Sequence, residues 1–169
     1  MTQLEQSLDA ASTALSYAKD GGSITILNPA PAQPLGENIL RLCDFVTPNE
    51  IEAEQITGIP VKTVSDAEVA ADKLLEKGAS AAVITLGEQG ALFKDSKQII
   101  HQPSFQVGPI VETTGAGDAF NGGLAVALAE EMPIDKALRF ACATASISVT
   151  RPGTAPSMPD RNEIDTLLT

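Results

Sequence analysis

Tryptophan is absent from this sequence, and its 169 residues include one tyrosine, one histidine and two cysteines. The single histidine, His101, follows Ile99-Ile100 beside a turn and reads as a surface residue at a strand end. A histidine-dependent catalytic triad is thereby left without its base. Cys43 and Cys142 sit in apolar surroundings with no Cys or His at metal spacing, so they read as two buried free thiols. Basic residues are scarce, 11 Lys and Arg against 22 Asp and Glu, for a formal net charge of −11. That balance excludes nucleic acid and anionic membrane surfaces as partners, since basic side chains supply that attraction. No apolar run approaches the length of a membrane span, and Thr2, Gln3, Glu5 and Asp9 lack the basic-then-apolar order of a signal peptide. The expectation is a soluble, cytoplasmic chain. Repeats, low-complexity tracts and linkers are missing too, so residues 1–169 are expected to form one domain with a sizeable core.

What is present centres on Glu112-Thr113-Thr114-Gly115-Ala116-Gly117-Asp118-Ala119-Phe120-Asn121-Gly122-Gly123. It follows a strand-like apolar run, Phe105 to Val111, broken at Gly108-Pro109. It ends in a helical pattern carrying Phe120, Leu124, Val126 and Leu128. From Thr113 to Gly117 no side chain is bulky, which lets backbone N–H groups point inward. A helix starting directly after such a turn adds the positive end of its dipole, so the junction suits an anion. Asp118 falls in the first helical turn, where a carboxylate can accept a proton from a hydroxyl attacking a phosphate. Two familiar glycine motifs do not fit. The dinucleotide fingerprint needs Gly or Ala where Phe120 stands, and no Gly-Lys-Ser/Thr triplet of a phosphate-binding loop occurs. A helix-capping turn whose glycines only allow close packing is the plainer alternative.

Taken in order, Leu4, Leu8, Ala11, Ala14, Leu15 and Ala18 predict a helix over 3–19, stopped by Gly21-Gly22. Ser23 to Leu27 predicts a short strand entering Asn28-Pro29-Ala30-Pro31, and Leu35 to Leu42 a short helix. Asp44-Phe45-Val46 predicts another strand. Thr47 or Asn49 can then cap a helix with three glutamates in its first turns. Ser65 is the expected cap of an amphipathic helix carrying Val69, Ala70, Leu74 and Leu75, ended by Gly78. Ala81 to Leu86 is a continuous apolar run, as expected of a central parallel strand. Gly87-Glu88-Gln89-Gly90 makes a turn before Ala91-Leu92-Phe93, and Lys94 to Ile100 a polar hairpin. Pro133 opens a helix rich in Ala and Ser that should pack on the Asp118 helix. A rigid loop, Arg151 to Ser157, precedes a final helix within Pro159 to Leu168.

The Thr113 to Gly123 segment resembles the C-terminal signature of the ribokinase (PfkB) family of sugar and nucleoside kinases, and supporting segments extend the resemblance from about Gln3 to Leu168. The resemblance implies an α/β fold, Rossmann-like, with three α/β/α layers and a mostly parallel sheet. It implies ATP-dependent phosphorylation of a sugar's primary hydroxyl, with ribose to ribose 5-phosphate as the leading reaction. Asp118 would be the base, and Gly115, Ala116 and Gly117 the anion hole. Asn49-x-x-Glu52 matches a family motif that influences Mg²⁺ and phosphate binding, and carboxylate and amide oxygens are ligands that Mg²⁺ favours. Thr85-Leu86-Gly87-Glu88-Gln89-Gly90 matches a segment that lies along the nucleotide, which would also reach the loop before Cys142. A K⁺ site is implied at Glu112, Thr114, Ser148, Arg151, Gly153 and Ser157. There Glu112 replaces the usual Asp, and the added methylene displaces the carboxylate.

The resemblance starts at about the family's midpoint, so the sugar-binding elements and the β-sheet lid have no counterpart here. Lid closure excludes water and completes such sites, so its absence should depress turnover. Missing neighbouring strands would expose a sheet edge, and self-association or pairing with a complementary N-terminal half is expected. Fructokinase or 2-keto-3-deoxygluconate kinase specificity remains open within the class. From another class, the chain reads as a non-catalytic nucleotide-binding remnant or a subunit of a split kinase.

Overall fold

The computed structural model describes residues 1–169, whose contacts fall into two compact units. The first comprises Met1–Leu86 with Leu92–His101; the second comprises Gly87–Ala91 with Gln102–Thr169.

In the first unit, helix α1 spans Leu8–Asp20, with Ser7 accepting from the Ala10 N–H at its start and Gly21 at its end. Residues 3–7 stay outside the helix predicted there. The Leu4 N–H donates instead to the Ala30 carbonyl at 2.8 Å, and Thr2 makes a parallel bridge to Leu27. Strand β1 (Ile26–Leu27), helix α2 (Glu37–Leu40) and strand β2 (Phe45–Val46) follow, each shorter than the apolar pattern suggests. The Ala30–Pro31 peptide between β1 and α2 is cis. Helices α3 (Glu50–Thr57) and α4 (Val64–Glu76) cross over to strand β3 (Ala81–Thr85).

Ser65 does not cap α4. Thr63 does, accepting from the Asp66 N–H, while the Asp66 carboxylate accepts from the N–H groups of Lys62 and Thr63. Ser65 and Glu68 carry the same spacing, but the earlier pair satisfies one more backbone donor. The buried face of α4 is Ala67, Ala70, Ala71 and Leu74, and Val69 is exposed.

Strands β1, β2 and β3 are parallel, in register at Ile26–Phe45–Ala81 and Leu27–Val46–Ala82. The sheet continues through β4 (Ala91–Asp95) and β5 (Ile99–Gln102), in the order β1-β2-β3-β4-β5. The connections from β3 to β5 are too short for parallel crossovers, so these last pairings are antiparallel. The fold is α/β with a mixed sheet in which three of the five strands are parallel. Leu27, Leu40, Val46, Leu74, Ile84 and Leu92 fill the core of this unit.

The second unit is built on helices α5 (Ala116–Ala129), α6 (Ile134–Ser148) and α7 (Arg161–Leu168). Pro133 precedes α6, and an Asp160–Glu163 capping box starts α7. Helix α5 packs on α6, as its small residues suggest, and α6 packs on α7. A Cβ at Gly123 would lie 2.7 Å from Thr144 Oγ1 and 3.1 Å from Ala141 Cα, whereas one at Gly122 would meet nothing within 4 Å. Val126, on the same helix, is exposed rather than buried.

Phe105 to Val111 does not form the strand predicted there. Pro109 has no N–H to give a ladder, and the Val111 and Glu112 N–H groups both donate to the Val149 carbonyl. Val107, Ile110 and Val111 are accordingly exposed. No helix is long and apolar enough to cross a membrane.

Two neighbouring glycines should therefore respond in opposite directions. Gly122→Ala is expected to raise stability by about 0.5–1 kcal/mol through helix propensity. Gly123→Val is expected to cost about 1–3 kcal/mol by overpacking against α6. Urea denaturation of the two variants checks this, and equal midpoints would contradict it.

Candidate functional site

Helix α5 begins on Gly115, whose φ of 83° lies in the left-handed region, and no side chain caps it. A Cβ at Gly115 would also crowd Thr154 at 3.3 Å, so the position needs glycine for both reasons. Gly117 has open space where a Cβ would stand, which leaves the approach to the first-turn amides clear. Asp118 is exposed in that same turn. The expected turn, helix start and acid are thus brought together, with Ala116 as the first helical residue.

Two residues outside the expected set hold this turn. Asn121 is buried, and its side-chain amide donates to the Gly117 carbonyl at 2.9 Å. Thr154 packs against Gly115 from the loop after α6. Asn121 stood inside the sequence motif, but an i, i+4 contact gives no distinctive signal. Thr154 is remote in sequence and had none.

The residues expected to hold a monovalent cation divide. Glu112 and Gly153 meet: the Glu112 carboxylate accepts from the Gly153 N–H at 2.7 Å, and Gly153 has a φ of 85°. Ser148 donates its hydroxyl to the Ala145 carbonyl, and Ser157 to the Thr154 carbonyl, so both oxygens keep lone pairs. Arg151 instead turns its guanidinium to Glu163 of α7 in a bidentate ion pair. That pairing raises the Arg151 pKa and lowers that of Glu163. Thr114 is exposed in the turn before α5. The donors are oxygens, the class that K⁺ and Mg²⁺ take, but no three acidic, His or Cys side chains gather as a metal cluster.

The Gly87–Gln89 turn belongs to the second unit although it joins β3 to β4. Gly87 and Gly90 have φ values of 52° and 91°, and the Gly90 N–H closes the turn on the Gly87 carbonyl at 3.1 Å. Glu88 and Gln89 are exposed at its tip, and Gly90 is buried. Cys142 is not preceded by a loop; it lies in the middle of α6, buried, with its Sγ 3.8 Å from the Gln102 carbonyl. Burial pushes its thiol up to about 12, which removes it as a nucleophile.

In the first unit, Asn49 and Glu52 form a reciprocal capping box at the start of α3. Asn49 Oδ1 accepts from the Glu52 N–H, and Glu52 Oε2 accepts from the Asn49 N–H, both at 2.9 Å. The Asn-x-x-Glu spacing therefore has a complete explanation in helix capping. Thr85 joins them: its N–H donates to the Pro48 carbonyl at 3.0 Å, and it bridges to Asn49. Leu86 is buried beside it. Glu52 is only 7% exposed; burial raises its pKa, and the hydrogen bond from the Asn49 N–H offsets this in part.

Comparison with known proteins gives the family. The family model described as pfkB family carbohydrate kinase matches residues 2–161. A ribokinase of Haemophilus influenzae is 43% identical over 96% of this chain and 53% of its own length. A deoxyribokinase of Salmonella typhi is 38% identical over 98% of this chain and 54% of its own. Among solved structures, Arabidopsis thaliana ribokinase complexed with ribose and ATP superposes with a TM-score of 0.94 at 32% identity, covering 98% of this chain and 54% of that one. Thermotoga maritima ribokinase gives 0.85 at 39% identity, covering 98% and 55%. The chain spans about half the length of the curated relatives it matches.

The raised pKa of Glu52 fixes a sign for pH dependence. A carboxyl that holds its proton more tightly when folded binds more protons in the native state, so it favours folding as pH falls. Wild type should gain stability over Glu52→Gln as pH drops through the folded pKa towards the ordinary 4.5, and gain no more below that. Paired denaturation curves between neutral pH and pH about 4 test this. A difference that is flat, or of opposite slope, contradicts it.

Proposed function

This chain belongs to the pfkB family of carbohydrate kinases, and we propose that it carries the phosphoryl-transfer end of an ATP-dependent sugar kinase, with ribose as the leading substrate. The observation that carries the reading is the start of α5: an uncapped helix N-terminus on a left-handed Gly115, open in front of Gly117, with Asp118 exposed in its first turn. An anion is stabilised there by the first-turn amides and the helix dipole. The relative complexed with ribose and ATP supports a phosphoryl group as that anion and a sugar hydroxyl as its acceptor.

In this reading the sugar's primary hydroxyl attacks the γ-phosphorus while Asp118 takes its proton. The N–H groups of Gly115 and Gly117 meet the charge that spreads over the transferred oxygens, whereas the Ala116 N–H, expected to join them, already donates to the Thr113 carbonyl at 3.1 Å. The Gly87–Gly90 turn lies along the nucleotide. Bound Mg²⁺ supplies charge neutralisation of the phosphates. Asn49 and Glu52 would be the residues to influence it, their amide and carboxylate oxygens being of the class that Mg²⁺ favours. Glu112, with Thr114, Ser148, Gly153 and Ser157, is the candidate oxygen set for K⁺. A guanidinium has no acceptor atom, so Arg151 has only its carbonyl to offer.

Asp118→Asn is expected to lower sugar-stimulated ADP release by roughly 10²–10⁴-fold with nucleotide affinity nearly unchanged. The assay is ADP release with ATP, Mg²⁺ and K⁺, against ribose, deoxyribose, fructose and 2-keto-3-deoxygluconate. Near-wild-type turnover in the variant would refute the role of Asp118. Nucleotide binding with no sugar stimulation at all would replace the kinase reading with that of a nucleotide-binding module.

Strand β1 is the edge of the sheet, and beyond it Thr2 donates to the Ile26 carbonyl and accepts from the Asn28 N–H, while Leu4 donates to the Ala30 carbonyl. A sheet edge that ends on an irregular segment rather than on a further strand favours association with a second chain. Light scattering at micromolar concentration should find a species larger than the monomer; a monodisperse monomer would overturn this.

A further inference from the structure

Five contacts converge on the short segment Gln102–Phe105. From one side comes the Gly87–Gly90 turn. A Cβ at Gly90 would lie 2.0 Å from the Gln102 carbonyl oxygen and 2.7 Å from backbone atoms of Pro103 and Ser104, so the two backbones touch. The Ser104 hydroxyl donates to the Glu88 carbonyl at 2.6 Å. From the other side comes helix α6. Ser146 Oγ accepts from the Phe105 N–H at 3.1 Å, the Arg139 guanidinium stacks 4.9 Å over the Phe105 ring, and Cys142 Sγ faces the Gln102 carbonyl. The segment is a strap that joins the turn to α6, and Ser104 bonds the turn's tip through its side chain.

A trans peptide is planar, with its C=O and N–H pointing in opposite directions. Holding the Glu88 carbonyl against Ser104 therefore sets the direction of the Gln89 N–H on the far side of the same peptide. Gly87 and Gly90 both sit at positive φ, so the turn has many conformations to lose, and one bond at its tip selects among them.

We infer that Ser104 is a positioning residue for nucleotide binding, aligning the Glu88–Gln89 peptide of the Gly87–Gly90 turn through its bond to the Glu88 carbonyl. This rests on the reading of that turn as a nucleotide contact. Ser104 itself touches no nucleotide; it acts through the turn. Its sequence signal was nil, because a serine in a polar stretch 16 residues away from its partner carries no motif.

The test is titration of the full chain with MgADP by calorimetry, for wild type, Ser104→Ala and Ser104→Thr, with thermal melts of all three. The Ala variant is expected to bind about five- to tenfold more weakly, as loss of one hydrogen bond that orders the turn implies. The Thr variant, which keeps the hydroxyl, should bind as wild type does, and all three should melt alike. If wild type binds and Ala binds equally well, the positioning role is overturned while the nucleotide reading stands. It is overturned likewise if Thr fails to rescue, or if the loss tracks a lowered melting temperature, since the effect is then general to folding. If wild type itself binds no MgADP, the nucleotide reading fails, and the role of Ser104 falls with it.

Discussion

The second unit depends on how closely α5 can approach α6. Gly123 places backbone against Thr144 and Ala141, where any side chain would collide. That approach fixes the axis of α5, and the axis fixes the direction of its N-terminal amides. Asn121 sets the first turn by holding the Gly117 carbonyl, and Thr154 closes against Gly115 from the loop after α6. An anion site made of backbone N–H groups has no side chains that can adjust to its ligand. Its precision has to come from the helix packing that aims it.

The chain's acidity gives the same conclusion from another direction. With a net charge of −11, long-range attraction would not bring in the nucleotide proposed above, so local donors would have to hold it. The glycines shape these turns in two physically different ways. At Gly87, Gly90, Gly115 and Gly153 the backbone is left-handed, so any other residue is strained there. At Gly117 the φ is ordinary and the space is open, so smallness serves access rather than conformation.

The acids divide along the same line. Glu52, Asp66 and Glu163 are committed to backbone donors at helix starts, and Glu112 to the Gly153 N–H. Asp118 sits in the first turn of a helix whose cap is a glycine, so no capping box is formed there. Acidic residues near helix starts are common for reasons of capping alone. What distinguishes Asp118 is its exposure beside a turn of small residues.

Much of this was legible in the sequence. The turn from Thr113 to Gly117, the helix that follows, the central strand at Ala81 and the stops at Gly21 and Gly78 all rest on local chemistry: φ preferences, caps and apolar period. Such signals survive without tertiary information because they act within a few residues. The misreadings share one cause. Phe105 to Val111 has strand composition but no ladder to join, and Ser65 lost to Thr63 in a choice between two equally spelled capping boxes. Val69 and Val126 were given buried faces that the packed helices left outside. Only the tertiary structure could decide those cases, as it decided which oxygen meets Gly153 and what touches Gly90. Apart from the Thr63 cap, whose partners Lys62 and Asp66 are local, each depends on a partner a dozen or more residues away, and separation in sequence leaves no trace in local pattern.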